Sequence, residues 1–404
     1  MNKRENKISH FMRDPNYLDL EKFYKKRPIA LYTGAGVSWT SDDRYGMAGW
    51  DEFVRSILEA DEGTDSSTIE DFNRRYDLCW VDKPWEMAEW VAKRIGREVF
   101  EEHVRNIVQR KQNYKEYKLI REDFLRVAPT LKAVTAFCGK FTGGRFVEYD
   151  SGRRAAIYEN EPNPRVRAVI TSNYDHYLEA ASSSIFRNQI LKPVGARGSS
   201  VGKLNQIPVF HIHGYVPFPK KPDKKVTEEP IPFVDPVVTK RDYEQAWRSD
   251  DVFNFTMGPQ IHVLRHYSVL FIGFSFRDEW VSNLLEDLNE ERKDRSDRMF
   301  HYALMKNDEV NAKGEDFFDK LGVKPIRLNN FGEIREVMSH LYQAALRVDY
   351  DDADIQLPFT ISNREYKTCV PISLTPAQYY DQLYACRLSF VWEKQGKMAQ
   401  TARS

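Results

Sequence analysis

A doubly wound α/β fold built on a parallel sheet is the class this sequence predicts, and three observations lead to it. Six short apolar runs recur along the chain: PIALYT (28–33), VRAVIT (166–171), IPVFHI (207–212), SVLFIGF (268–274), FHYALM (300–305) and VKPIRL (323–328). Most are continuous rather than alternating, the pattern of strands covered on both faces. Segments with helical periodicity lie between them, and strands alternating with helices imply right-handed crossovers, hence a Rossmann-like layering.

In chain order, the first run is followed by WDEFVRSILEA, where Trp50, Phe53, Val54, Ile57 and Leu58 form one apolar stripe. The interval 64–140 carries helical patterns such as PWEMAEWVAKRIG and no convincing strand, so it is expected to be a helical insertion. Residues 145–164 and 215–233 are dense in turn formers and charge and are expected to be loops or flaps. Trp280, Val281, Leu284, Leu285 and Leu288 form a second stripe; Ile334, Val337, Met338, Leu341 and Ala345 form a third, the last helix of a main domain spanning 1–348. Residues 349–404 form a short C-terminal appendage, with a helix expected from Thr375-Pro376. This tail is too short for its own core, so Tyr379, Tyr380, Tyr384 and Phe390 are expected to dock on the main domain or on another subunit, which implies a homo-oligomer.

At 404 residues the chain can bury a sizeable core, and a formal net charge of +0 removes the usual electrostatic argument for nucleic-acid binding. The run 110–118 reads as a solvated helix face. Cys79, Cys138, Cys369 and Cys386 form no CxxC pair, so neither a zinc ribbon nor a disulfide framework is expected. No segment is long and apolar enough to span a bilayer, and the amino terminus lacks a secretory core; a cytoplasmic protein is expected.

The chemistry concentrates after the strands. TGAGVS places Gly34 and Gly36 where a first-strand turn either lets backbone amides approach a phosphate or simply turns tightly. Trp39 stands where a dehydrogenase fingerprint wants its third glycine, which argues against an ordinary oxidoreductase. Thr171, Asn173 and Asp175 follow the second run in TSNYD, His213-Gly214 follows the third, and Gly273, Ser275 and Asp278 follow the fourth in GFSFRD. Asp175 and Asp278 also suit helix N-caps, and His213 is a core histidine or a ligand-facing one. His211 shares the HIH pattern with His213, but no partner at metal-ligand spacing accompanies it, so no metal is expected and His211 is read as a supporting or core residue. Trp50 is read as core, and Asp42, Asp43 and Arg44 as a solvated loop.

The ordered set GAGVS, TSNYD, HG and GFS, over roughly the first 345 residues, resembles the sirtuin-like catalytic domain. That resemblance implies NAD+ as substrate, with Gly34, Ala35, Gly36, Ser38, Thr171, Asp175, Gly273 and Ser275 as dinucleotide contacts and Asn173 and His213 as the catalytic pair. The four zinc cysteines of deacylating sirtuins have no counterpart in residues 215–272, and the first motif continues as SWTSDDRYGMAGWDEF. These departures are similar to bacterial anti-phage sirtuin-like proteins, most of all to the subunit paired with a hexameric HerA-type ATPase. The resemblance thus implies an NAD+ glycohydrolase acting in abortive infection, with a protein deacylase or ADP-ribosyltransferase and a non-catalytic NAD+ or ADP-ribose sensor as the alternatives.

Overall fold

The computed structural model describes residues 10–38, 50–76, 84–111, 128–148, 154–186, 190–194, 206–216, 236–248, 257–293, 299–349, 356–357, 359–361 and 372–373. The strands are β1 (Ile29–Thr33), β2 (Gly139–Glu148), β3 (Arg154–Pro162), β4 (Val166–Thr171), β5 (Leu191–Val194), β6 (Ile207–His211), β7 (Ser268–Ile272), β8 (His301–Lys306) and β9 (Val323–Leu328). Seven of them form one sheet in the order β5-β6-β4-β1-β7-β8-β9, with every pairing parallel.

All six expected strands are present, because each is apolar enough to be covered on both faces. Along β1 the side chains alternate between two cores: Ile29 and Leu31 join one, Ala30 and Tyr32 the other. The first core takes the stripes of Trp50–Glu59 and Glu333–Asp349; the second takes that of Glu279–Glu290. The interval 64–140 contributes helices Ser66–Arg75, Pro84–Ile95, Arg97–Lys111 and Pro129–Phe137.

Two departures from expectation have physical reasons. Strand β5 is not among the expected strands, because it is four residues long and carries Pro193, which an edge strand tolerates. Most of 145–164, expected to be loop, belongs to an antiparallel ribbon in which β2 pairs with β3 from Gly139↔Pro162 to Glu148↔Arg154. A ribbon outside the main sheet needs no continuous apolar run, so its polar sequence resembled a loop. Phe359–Ile361 adds to this ribbon in parallel with Gly144–Phe146, and Gln356–Leu357 pairs with Ile372–Ser373. The expected helix from Thr375, the tail aromatics, Asp42, Asp43, Arg44 and residues 217–233 lie outside the described residues. No helix among the described residues is long and apolar enough to cross a membrane.

Register positions the site. Thr33 is level with Thr171 of β4 and Ile272 of β7, and Thr171 with His211 of β6, so four strands end at one height. The strand order reverses between β1 and β7, where open α/β sheets form their ligand crevice.

Candidate functional site

A cavity of about 340 Å³ opens at that crevice, within the size range of small-molecule sites. Its floor is a pair of interlocked turns. Gly34 N–H donates to Ile272 O (3.1 Å), and Gly36 N–H donates to Gly273 O (3.0 Å). A Cβ on Gly34 would stand 2.5 Å from Gly273 O, and one on Gly273, whose φ is +62°, would stand 2.6 Å from Val37 N. The glycines therefore let two strand-end turns touch backbone to backbone; Gly34, Ala35, Gly36, Gly273 and Ser275 line the cavity as a consequence. The helix they lead into, Ala35–Ser38, is a single turn.

Asn173 and His213 line the same cavity. Asn173 is 8% exposed and held at four points. Its Nδ2 donates to Gly34 O (3.2 Å) and Ser38 Oγ (3.0 Å), its backbone N–H donates to Thr171 Oγ1 (3.2 Å), and its carbonyl accepts from His211 Nδ1 (3.0 Å). The amide protons are thus used by the protein, while Oδ1 accepts no hydrogen bond among the described residues. Ser38 and Thr171 are fully buried behind the lining and act on the cavity through Asn173.

His213, 5% exposed, follows the end of β6; its carbonyl accepts from Val237 N–H (2.8 Å). Its Nε2 lies 3.2 Å from Asp278 Oδ2 and 3.4 Å from the Tyr243 hydroxyl. Asp278 does cap the helix Glu279–Glu290, with Oδ1 accepting from Trp280 and Val281 N–H, and its other oxygen serves the histidine.

His211 points elsewhere. Strand β6 ends at this residue, so the alternation that would put both imidazoles on one face stops between them. Its Nδ1 donates to Asn173 O and its Nε2 is 2.9 Å from Glu179 Oε1, which leaves neither nitrogen for a metal. Among the described residues no group of three metal-ligating side chains occurs. Burial alone would lower the His211 pKa, but Glu179, the Asn173 carbonyl and Asp175 together raise it; His211 in turn lowers that of Glu179 against the opposing effect of burial. With a carbonyl on one side and a carboxylate on the other, both ring nitrogens donate, so His211 is an imidazolium beneath the site.

Asp175 lines the cavity too, but the N-cap position of helix Tyr177–Ile185 belongs to His176. Asp175 Oδ1 instead accepts from Tyr177 N–H (3.0 Å). Burial pushes its pKa from 3.8 to about 6, with the Tyr177 amide, Ser38 and His211 pulling down and Glu179 pushing up. A carboxyl whose folded pKa is raised takes up a proton on folding between pH 3.8 and about 6, so its contribution to stability falls as pH rises through that window. Asp175→Asn should therefore match the wild type near pH 4 and exceed it by up to about 3 kcal/mol at pH 7. Denaturant unfolding at the two pH values checks this, and an equal difference at both would exclude the assignment.

One wall is aromatic. Trp50, Phe53 and Tyr174 face the cavity, with Phe53 stacked on Tyr174 at 5.9 Å and Trp50 tilted against Tyr174 at 6.2 Å. Trp50 is therefore a half-buried lining residue as well as a core contact, a correction to its reading as core alone. The periodicity of 50–58 announced a buried stripe but not that its first turn would border a cleft. Tyr243 carried no sequence signal, because it reaches His213 from a helix thirty residues downstream.

Residues 167–326 match the SIR2-like domain family. The match starts within β4, ends within β9 and takes in Asn173, His213, Gly273 and Asp278, while the first glycine turn precedes it. SIR2-like domains bind NAD+, and the match supports a Sir2-type domain with NAD-related activity in this chain. No curated protein matches the chain.

Proposed function

We propose that the protein is an NAD+ glycohydrolase, cleaving the bond between nicotinamide and ribose so that NAD+ and water give nicotinamide, ADP-ribose and a proton. The observation that carries this reading is that Asn173 and His213, from the ends of neighbouring strands, line one cavity above the interlocked glycine turns. The leaving group is already cationic, so cleavage needs a stabilised oxocarbenium-like ribose and a placed nucleophile rather than a strong acid. Asn173 Oδ1 accepts a hydrogen bond from a ribose hydroxyl or the attacking water. His213 takes the proton released as the water adds. The aromatic wall of Trp50, Phe53 and Tyr174 limits the water that reaches the cation.

The SIR2-like match and the motif order support an NAD+-directed site. The motif continuation after Ser38 and the lack of cysteine in 215–272 favour water over an acyl-lysine as acceptor. On the same resemblance the enzyme acts as a regulated anti-phage effector in abortive infection, assembled as a homo-oligomer with a HerA-type hexameric ATPase. The test is nicotinamide release from NAD+ by the purified protein, with and without a HerA-type ATPase added. Asn173→Ala and His213→Ala should each lower turnover by about 10²-fold or more. Wild-type turnover in both variants, or release that depends on an acylated peptide, would overturn the reading.

A further inference from the structure

We propose that Asp278 is the positioning residue for His213, holding it as the Nε2–H tautomer so that Nδ1 is the atom that accepts the proton. This rests on the glycohydrolase reading for its catalytic consequence, but the tautomer itself follows from geometry.

Asp278 divides its two oxygens between two tasks. Oδ1 takes the amides of Trp280 (3.1 Å) and Val281 (3.3 Å) at the start of the helix. Oδ2 faces inward, 3.2 Å from His213 Nε2 and 3.2 Å from the Tyr243 hydroxyl, which donates to it. A carboxylate oxygen only accepts, so both neighbours are donors. The Tyr243 hydroxyl and His213 Nε2 stand farther from each other, at 3.4 Å, than either does from Asp278. Burial first, and then the Asp278 charge, push the Tyr243 phenol well above its ordinary pKa, so it keeps its proton and remains a donor. The Nε2 position therefore carries hydrogen, and the lone pair lies on Nδ1, which has no hydrogen-bond partner among the described residues.

The arrangement is rigid. The Tyr243 ring meets the imidazole in a T-shaped contact at 5.2 Å and is stacked with Trp280 at 6.1 Å. Tyr243 is fixed in turn by its helix, whose start is tied by Asp242 to the Val238 and Thr239 amides and by Arg97 to Thr239. Nothing in capping requires the second carboxylate oxygen to meet a histidine in the cleft, so the shared use marks a function beyond ending a helix. No proton leaves Asp278 in this scheme: His213 gains one at Nδ1 and becomes an imidazolium that the carboxylate stabilises.

Asp278→Asn separates the two tasks, because asparagine caps as well as aspartate while its amide nitrogen would face Nε2 as a donor. Long-range ¹H–¹⁵N correlation on protein labelled with ¹⁵N-histidine, with His213 assigned by its loss in His213→Gln, reads the tautomer without turnover. The expected result is Nε2–H in the wild type and Nδ1–H in Asp278→Asn, with nicotinamide release lowered about 10²- to 10⁴-fold and KM changed less than about threefold. Tyr243→Phe should keep the wild-type tautomer. If Asp278→Asn does not fold, Asp278→Ser retains a capping oxygen and should leave His213 without a single preferred tautomer. An Nδ1–H wild type, or an Asp278→Asn protein that keeps both tautomer and turnover, overturns the proposal. A wild type that holds the Nε2–H tautomer but releases no nicotinamide, either alone or with a HerA-type ATPase, would defeat the glycohydrolase reading and leave the tautomer assignment standing.

Discussion

Gly273→Ala will destabilise the protein by about 2–5 kcal/mol and lower its affinity for ADP-ribose. Two costs combine. At φ +62° an alanine occupies the left-handed region, worth about 1–2 kcal/mol. Its Cβ would also press on Val37 N at 2.6 Å and Gly36 C at 2.7 Å, which are backbone atoms and cannot rotate away; forced movement of packed atoms adds about 1–3 kcal/mol. Relief requires the two turns to separate, which breaks the Gly36 to Gly273 hydrogen bond and opens the cavity floor. Denaturant unfolding and calorimetric titration with ADP-ribose measure both effects. An alanine protein of wild-type stability would mean that the turns are not interlocked as described.

Glu179→Ala carries the other large effect, although Glu179 does not line the cavity. The residue is fully buried beside the His211 imidazolium, and removing one partner of a buried ion pair costs about 3–5 kcal/mol. Without Glu179 the His211 ring must either stay charged without its hydrogen-bonded counter-charge or lose the proton it donates there. A neutral ring no longer anchored at Nε2 is free to change tautomer or turn away from the Asn173 carbonyl, so turnover should fall along with stability. Glu179→Gln should cost less, since a neutral His211 can keep its bond to Asn173 while accepting from the new amide at Nε2.

The pH dependence has a definite sign. The raised His211 pKa contributes stability that is lost as pH rises through it, and the lowered Glu179 pKa contributes stability that is lost as pH falls through it. Wild-type stability from this pair is greatest between the two, and Glu179→Ala should flatten the profile at both ends. A loss below about 1 kcal/mol with an unchanged profile would show that the pair is not charged.

Much of the sheet was legible because burial on both faces demands apolar runs, and Ile29–Thr33 and Ser268–Ile272, buried at every position, satisfy that demand within their own residues, as does Val166–Thr171 apart from the exposed Arg167. The same logic failed for Leu191–Val194, which is short and at an edge, and for the polar ribbon at 139–162, whose pairing depends on partners rather than on burial. Among the site residues, glycines and polar groups directly after strands could be recognised because strand ends in this architecture face a crevice. Their division of labour could not. Ser38 and Thr171 stand in the same motifs, and only the structure shows that each hydroxyl accepts a hydrogen bond from Asn173.

By itself, then, the sequence determined the layered α/β class, the positions of the central strands and the strand-end motifs, because these follow from local periodicity and from the need to bury apolar runs. Tertiary structure alone decided that Asp278 and Tyr243 hold His213, that Glu179 charges His211 beneath Asn173, and that Gly34 and Gly273 touch. Those pairings join residues 30 to more than 200 positions apart, whose distances depend on sheet register and helix packing and leave no periodic trace in the chain.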